Sequence, residues 1–214
     1  MKEHIQYNIK NIFITVFVIL IWTALAIQCK KAQMQKDISD AVIRFHVIAN
    51  SDSKEDQAIK YKVRDEILQD VQSAMEKAKT KKDAKKILCS QLDDLTEKAN
   101  QVLSTEGMDY KANVVLEKTK FPVKTYGDLT FPEGDYEAVR VLLGSGGGHN
   151  WWCVMFPTLC LLDGACEKVP TKSKEKLQDA LTEGEYNSLL TQEHNGIKYE
   201  YRFRLGEWFS KAFR

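Results

Sequence analysis

AVIRFHVIANSDS, residues 41–53, alternates and then stops. Ile43, Phe45 and Val47 fall on one side of an extended chain, and Arg44, His46 and Ile48 on the other, which is the period of a strand. Asn50, Ser51, Asp52 and Ser53 end it, and Asp52 is the expected N-cap of a following helix, with Glu55 three residues on. Ile59, Val63, Ile67, Val71 and Met75 then recur every four residues, the stripe of an amphipathic helix. Thr80 to Asp83 breaks that helix. A second helix carries Ala84, Leu88, Leu92, Leu95, Ala99 and Val102, and Gly107 is a plausible C-terminal cap. Two consecutive helices with one apolar stripe each suit one face of a sheet, and their charged faces read as solvated surface.

Working outward, the period changes to two from Lys111. Ala112, Val114 and Leu116 alternate with Asn113, Val115 and Glu117. Tyr136, Ala138, Arg140 and Leu142 oppose Val139, Val141 and Leu143, and NWWCVMF reads as another strand, ended by Pro157. Past Pro170 comes a polar helix, then a turn at Asn195 and Gly196. A last strand places Ile197, Tyr199, Tyr201, Phe203 and Leu205 on one side, and Trp208 with Ala212 and Phe209 with Phe213 close the chain at helical spacing. One strand, two helices and then mostly strands argue for an α+β fold with a mostly antiparallel or mixed sheet.

Upstream of the strand, residues 12–27 form an uncharged apolar run behind Lys2 and Lys10. Ala24, Leu25 and Ala26 supply a small-x-small cleavage pattern. The run reads as an export signal, with an uncleaved anchor as alternative, because 16 residues are short for a span of about 20. Cys29 invites a lipoprotein reading, but Gln28 stands where that signal wants a small residue. The expected organisation is therefore residues 1–29 as signal peptide or signal anchor, a polar linker over 30–37, and residues 30–214 as one exported domain, least specific over 170–214. Export permits disulfides. The chain has five cysteines, an odd number, so at least one is free or pairs between chains. Cys153 with Cys160 is the preferred bridge, since Pro157 between them can turn the chain, and Cys160 with Cys166 is the alternative. No spacing fits a zinc site.

Formal charge balances at +1, with 31 basic and 30 acidic residues, so nothing points to nucleic acid. His46, Asn50, Asp52 and Asp56 crowd a strand-to-helix junction. Functionally His46 could be a general base, or a metal ligand with Asp52 and Asp56; structurally the same residues make a turn, a cap and a half-buried strand position. Cys153 and His149 raise a thiol hydrolase, which a bridge to Cys160 would silence. GSGGGHN, residues 144–150, lacks the helix and the lysine that a phosphate loop needs. Trp151 and Trp152 point to opposite faces of a strand. Either both are core, or one anchors the core while its neighbour is offered to a partner.

Two segments carry a resemblance. IRFHVIANSDSKEDQAIKYKVRD at 43–65 and GDYEAVRVLLGSGGGHNWWCVMFPTLCLLD at 134–163 resemble the stage II sporulation protein R family of endospore-forming Firmicutes. The first follows that family's RFHVIANSDS pattern continuing through DQ to VRD, and the second its NWWC-V-x-FP-x-LC pattern; Met155 and Thr158 depart, where a leucine and a proline are expected. The resemblance implies a signalling protein rather than an enzyme, with no catalytic residues, cofactor or metal. It implies secretion across the forespore membrane into the space between forespore and mother cell. There such a protein activates a membrane-embedded aspartic protease, which removes the pro-sequence of a mother-cell sigma factor. The membrane is met through the N-terminal segment alone. Among matched positions the candidate contacts are His149, Asn150, Trp151 and Trp152, then Arg44, His46, Asn50 and Asp52. The competing reading is an exported hydrolase using Cys153 and His149, or His46 and Asp52; a third is a structural envelope protein.

Overall fold

A computed structural model describes residues 2–160 and 169–190. The turn at 195–196, the strand at 197–205, the closing segment and Cys166 lie outside the described residues. Within them the chain runs α1 (Lys2–Ala41), β1 (Ile43–Ile48), α2 (Lys54–Lys77), α3 (Lys81–Thr105), β2 (Ala112–Phe121), β3 (Lys124–Tyr126), β4 (Leu129–Phe131), β5 (Gly134–Leu143), β6 (Asn150–Phe156), α4 (Thr171–Ala180) and α5 (Glu183–Leu189). The fold is α+β.

Four strands form a mixed sheet in the order β2-β5-β1-β6. β1 runs parallel to β5, pairing Phe45 with Val139, and antiparallel to β6, pairing Phe45 with Cys153. β2 lies antiparallel to β5 along ten residues. β3 and β4 make a separate small hairpin.

Both expected helices cover one face. Ile59, Val63, Ile67, Val71 and Met75 of α2 and Ala84, Leu88, Leu95, Ala99 and Leu103 of α3 pack on Ile43, Phe45 and Val47. Their ends are built from the sequence. Thr80 and Asp83 make a reciprocal capping box on α3. Beyond its end the amide of Gly107 (φ 73°) donates to Ser104 and that of Met108 to Leu103, a left-handed closure that glycine makes without strain. The cap of α2 differs from expectation. Ser53, not Asp52, accepts from the Asp56 amide, because Asp52 is engaged elsewhere.

The opposite face of the sheet is also buried, which the alternation did not foretell. Phe121, Tyr136, Ala138 and Val154 meet Phe131 of β4, Leu177 of α4, Leu189 of α5, and Ile38 and Ala41 of α1. The segment 30–37 is thus no linker. It contains neither proline nor glycine and is rich in Lys, Gln and Met, good helix formers, so α1 continues through it. Met34, Ile38 and Ala41, spaced four and three apart, fix its last turns to this second core. Over residues 13–33 the helix is bare, with Phe13 71% exposed. Phe13–Ala41 is long and apolar enough to cross a bilayer, as a signal sequence would also be. The same helix fits a signal or an anchor.

Cys153 and Cys160 form a disulfide across the turn at Pro157, with Cα atoms 5.3 Å apart and seven residues of separation. The bridge fits an extracytoplasmic setting. Closing so short a loop restricts the unfolded chain modestly, so the double variant Cys153→Ala with Cys160→Ala should lose roughly 2 kcal/mol in urea denaturation. An unchanged midpoint would show that the bridge contributes no stability. Cys29 and Cys89 are free and exposed.

Candidate partner-binding face

One end of the sheet is tied together by polar side chains. After β5 the chain turns through 144–149 and is laced to the end of β1. Gly147 donates its amide to the Asn50 carbonyl and Gly148 to that of Ala49, both at 3.0 Å. Asn50 Oδ1 accepts from the Ser145 amide at 2.9 Å, and Ser145 Oγ donates to the Asn50 carbonyl at 2.9 Å. Gly148 is required by proximity: a Cβ there would lie 2.2 Å from the Ser51 carbonyl oxygen.

Asp56 organises the layer beneath. Its carboxylate accepts from Ser51 Oγ and Tyr110 Oη, both at 2.5 Å, and from Asn50 Nδ2 at 3.1 Å. Burial pushes this carboxyl up, but the hydrogen bonds from Ser51, Tyr110, Asn50 and Ser53 outweigh it and hold it below the usual range. Tyr110 in turn is pushed up, by burial and then by its hydrogen bond to the Asp56 carboxylate.

Asp52 reaches outward. Its Oδ1 accepts from the His149 amide at 2.7 Å and lies 2.5 Å from His149 Nδ1. Those two contacts hold the Asp52 carboxyl below its ordinary value. The His149 side chain is 81% exposed, so Asp52 fixes its direction without covering it. Lys60, buried on α2, donates to the His149 carbonyl at 3.1 Å and also to Gln57. Burial lowers its pKa.

The two tryptophans do take opposite faces, but neither stands free. Trp151 packs edge-on to Phe45, centroids 5.8 Å apart, beneath the Arg64 guanidinium at 4.9 Å. Trp152 lies in the second core, stacked on His46 at 4.9 Å and edge-on to Phe121. Each is half-buried, so the division into one inward and one outward indole does not hold. Both faces of the sheet are clothed.

Arg44 and His46 are internal. Arg44 is fully buried inside a box of Phe121, Tyr126, Phe131 and Tyr136, its guanidinium carbon 4.5–5.6 Å from the ring centroids. It donates to Tyr126 Oη at 3.2 Å, while Nε and Nη1 have no partner. Burial lowers its pKa. Among the described residues His46 has no hydrogen-bond partner on either ring nitrogen, and burial, then Arg140 and Arg44, push it down to about 4.

The eight sequence candidates therefore split. Asn50, Asp52, His149, Asn150 and Trp151 gather at one end of the sheet, whereas Arg44, His46 and Trp152 line the second core. His46 is not brought to Asp52 and Asp56, and among the described residues no cluster of metal-ligating side chains occurs. Cys153 is buried and bridged, away from the role of a thiolate nucleophile. Sequence reading missed Lys60, Gln57, Tyr110 and Ser145. A faint signal existed in the polar Asp56 and Lys60, four apart beside the apolar stripe of α2.

The model of the family "Stage II sporulation protein R" matches residues 39–166, which include every residue of this polar lacing. The chain is also similar to the stage II sporulation protein R of Bacillus subtilis (strain 168), 30% identical over 221 residues that cover 95% of this chain and 99% of that protein. No solved structure matches. The family pattern and the laced 144–150 loop coincide, and this chain belongs to the stage II sporulation protein R family.

Proposed function

We propose that the chain is an exported signalling protein that switches on a membrane-embedded aspartic protease, so that a mother-cell pro-sigma factor is processed, and that it docks through the face around His149. It acts in the space between forespore and mother-cell membranes, delivered by α1 as signal or anchor. The observation that carries this reading is an exposed side chain on a rigid mount: His149 is held by Asp52 on a loop that is itself bonded to Asn50. Such pre-organised exposed groups suit recognition, because little entropy is lost on binding. Trp151, half-buried beneath Arg64, borders the same face and is of the residue type that dominates interface energetics.

The Asp52 and His149 pair also has the form of a base with its orienting carboxylate. Among the described residues no hydroxyl or thiol bonds to His149, so no side-chain nucleophile is paired with it there.

Processing of the pro-sigma factor in cells that also make the protease is the test. His149→Ala should cut processing about tenfold or more, with melting nearly unchanged, since exposed side chains rarely carry stability. Trp151→Ala should weaken binding to the protease roughly thirtyfold, about 2 kcal/mol. Full processing by both variants would reject this face.

A further inference from the structure

Every polar atom of His149 but one is engaged by its own chain. The amide donates to Asp52 Oδ1 at 2.7 Å, the carbonyl accepts from the buried Lys60 ammonium at 3.1 Å, and ring Nδ1 lies 2.5 Å from the same Asp52 oxygen. Nε2 alone has no partner among the described residues, and the side chain that carries it is 81% exposed. The mount comes from two elements: Asp52 stands in the turn after β1, and Lys60 on α2.

The state of Asp52 decides the state of the ring. A carboxylate has lone pairs and no proton to give, so the ring atom that faces it must bring the hydrogen. The ring and amide of His149 hold the Asp52 carboxyl below its ordinary value, so at neutral pH it is ionised and Nδ1 carries the proton. A neutral imidazole bears one proton, and its other nitrogen is then a bare acceptor. Lys60 and Asp52 fix the place of the residue, and Asp52 also fixes its tautomer. His46, by contrast, is buried, and among the described residues neither of its ring nitrogens is bonded.

We propose that Nε2 of neutral His149 is the contact offered to the receptor, as a hydrogen-bond acceptor for an N–H or O–H group of that protein. An acceptor fixed in advance selects a donor and disfavours a carboxylate, whose lone pairs would face the lone pair on Nε2. Asp52 is a positioning residue, acting through the ring. This inference rests on the receptor-binding reading above and names the chemistry of its central contact.

NMR on the full-length chain in detergent at pH 7.5 tests it, with nitrogen-labelled protein and the receptor protease as the added partner. The chain has four histidines, and the signal lost in His149→Gln identifies the ring. In the free chain Nδ1 should carry a proton and Nε2 none. Receptor should shift the Nε2 signal towards the protonated position without attaching a proton to it. A proton on Nε2, in the free chain or in the complex, would make it a donor and overturn the proposal, leaving receptor binding at this face intact. An unmoved Nε2 with a perturbed Trp151 indole would do the same. If neither moves, both readings fall. Processing supplies a second readout, one that a merely structural role would not sort. His149→Gln sets an amide oxygen near the place of Nε2 and should stay within about threefold of the native chain, whereas His149→Asn, which reaches only Asp52, should lose about tenfold. Equal or reversed ranking of the two variants would overturn the role of Nε2.

Discussion

Replacing Asp56 by alanine is expected to cost about 3–5 kcal/mol of folding stability, because several part-buried donors lose the acceptor they share. Asp56 is 7% exposed, and its carboxylate is the shared acceptor for Ser51, Asn50 and Tyr110, besides sitting in the first turn of α2. Its removal strands three donors, each at a penalty of about 1–3 kcal/mol unless water reaches them. Asp56→Asn should recover little, because its amide nitrogen would face donors. Asn50 loses its anchor in either variant, so the loop carrying His149 loosens as well. Urea denaturation measures the loss, and a change below about 1 kcal/mol would show that the lacing carries little energy. The pH dependence has a fixed sign. The folded carboxyl titrates below the unfolded one, so its contribution is present above the ordinary carboxylate range and vanishes as pH falls through the folded value.

The second large effect is acid sensitivity from His46. Its folded pKa is about 4 against 6.5 for the free side chain, so between these values the unfolded chain binds a proton that the folded chain refuses. Stability from this residue is complete above pH 6.5 and declines as pH falls towards 4, by about 3 kcal/mol in all. Among the described residues neither ring nitrogen has a hydrogen-bond partner that would favour the charged form. Trp152 and Phe121 enclose the ring, and the nearby charges, Arg140 and Arg44, are both positive. Between pH 7 and 5, where carboxylates contribute little, about 2 kcal/mol should be lost. His46→Phe should flatten that slope. An equally steep slope in the variant would place the sensitivity elsewhere.

Much of the fold is legible in the chain, for reasons visible residue by residue. The apolar stripes of α2 and α3 and the alternation of β1, β5 and β6 are strong periodic signals, and they map onto one core. Gly107 and the Thr80 break mark their ends. The second core is not legible from that pattern. Arg44 and His46 read as the wet side of a strand, because the rings that enclose Arg44 arrive from β2, β4, β5 and the β3 hairpin, distant in sequence. The α1 extension fails for a related reason. Its polar composition resembles a linker, and only three spaced anchors reveal that it docks. At the candidate face the glycine loop and the turn bring His149, Asn50 and Asp52 together, whereas the sequence held them as two separate sets. The cap moves one residue to Ser53 because Asp52 is recruited by a loop almost a hundred positions away.

The box around Arg44 bears on more than the native state. Every residue of β1 but its last is buried, on both sides of the sheet. An apolar pattern facing oil in both directions does little to forbid a slip of one position, which would exchange the two faces. A guanidinium does forbid it. Slipped by one, Arg44 would enter the layer beneath α2 and α3, where Ile59, Val63 and Leu88 line the core and no box of four rings encloses a charge. Only one alignment of β1 delivers the charge to its four rings. The importance of Arg44 lies in the arrangements it makes too costly to populate.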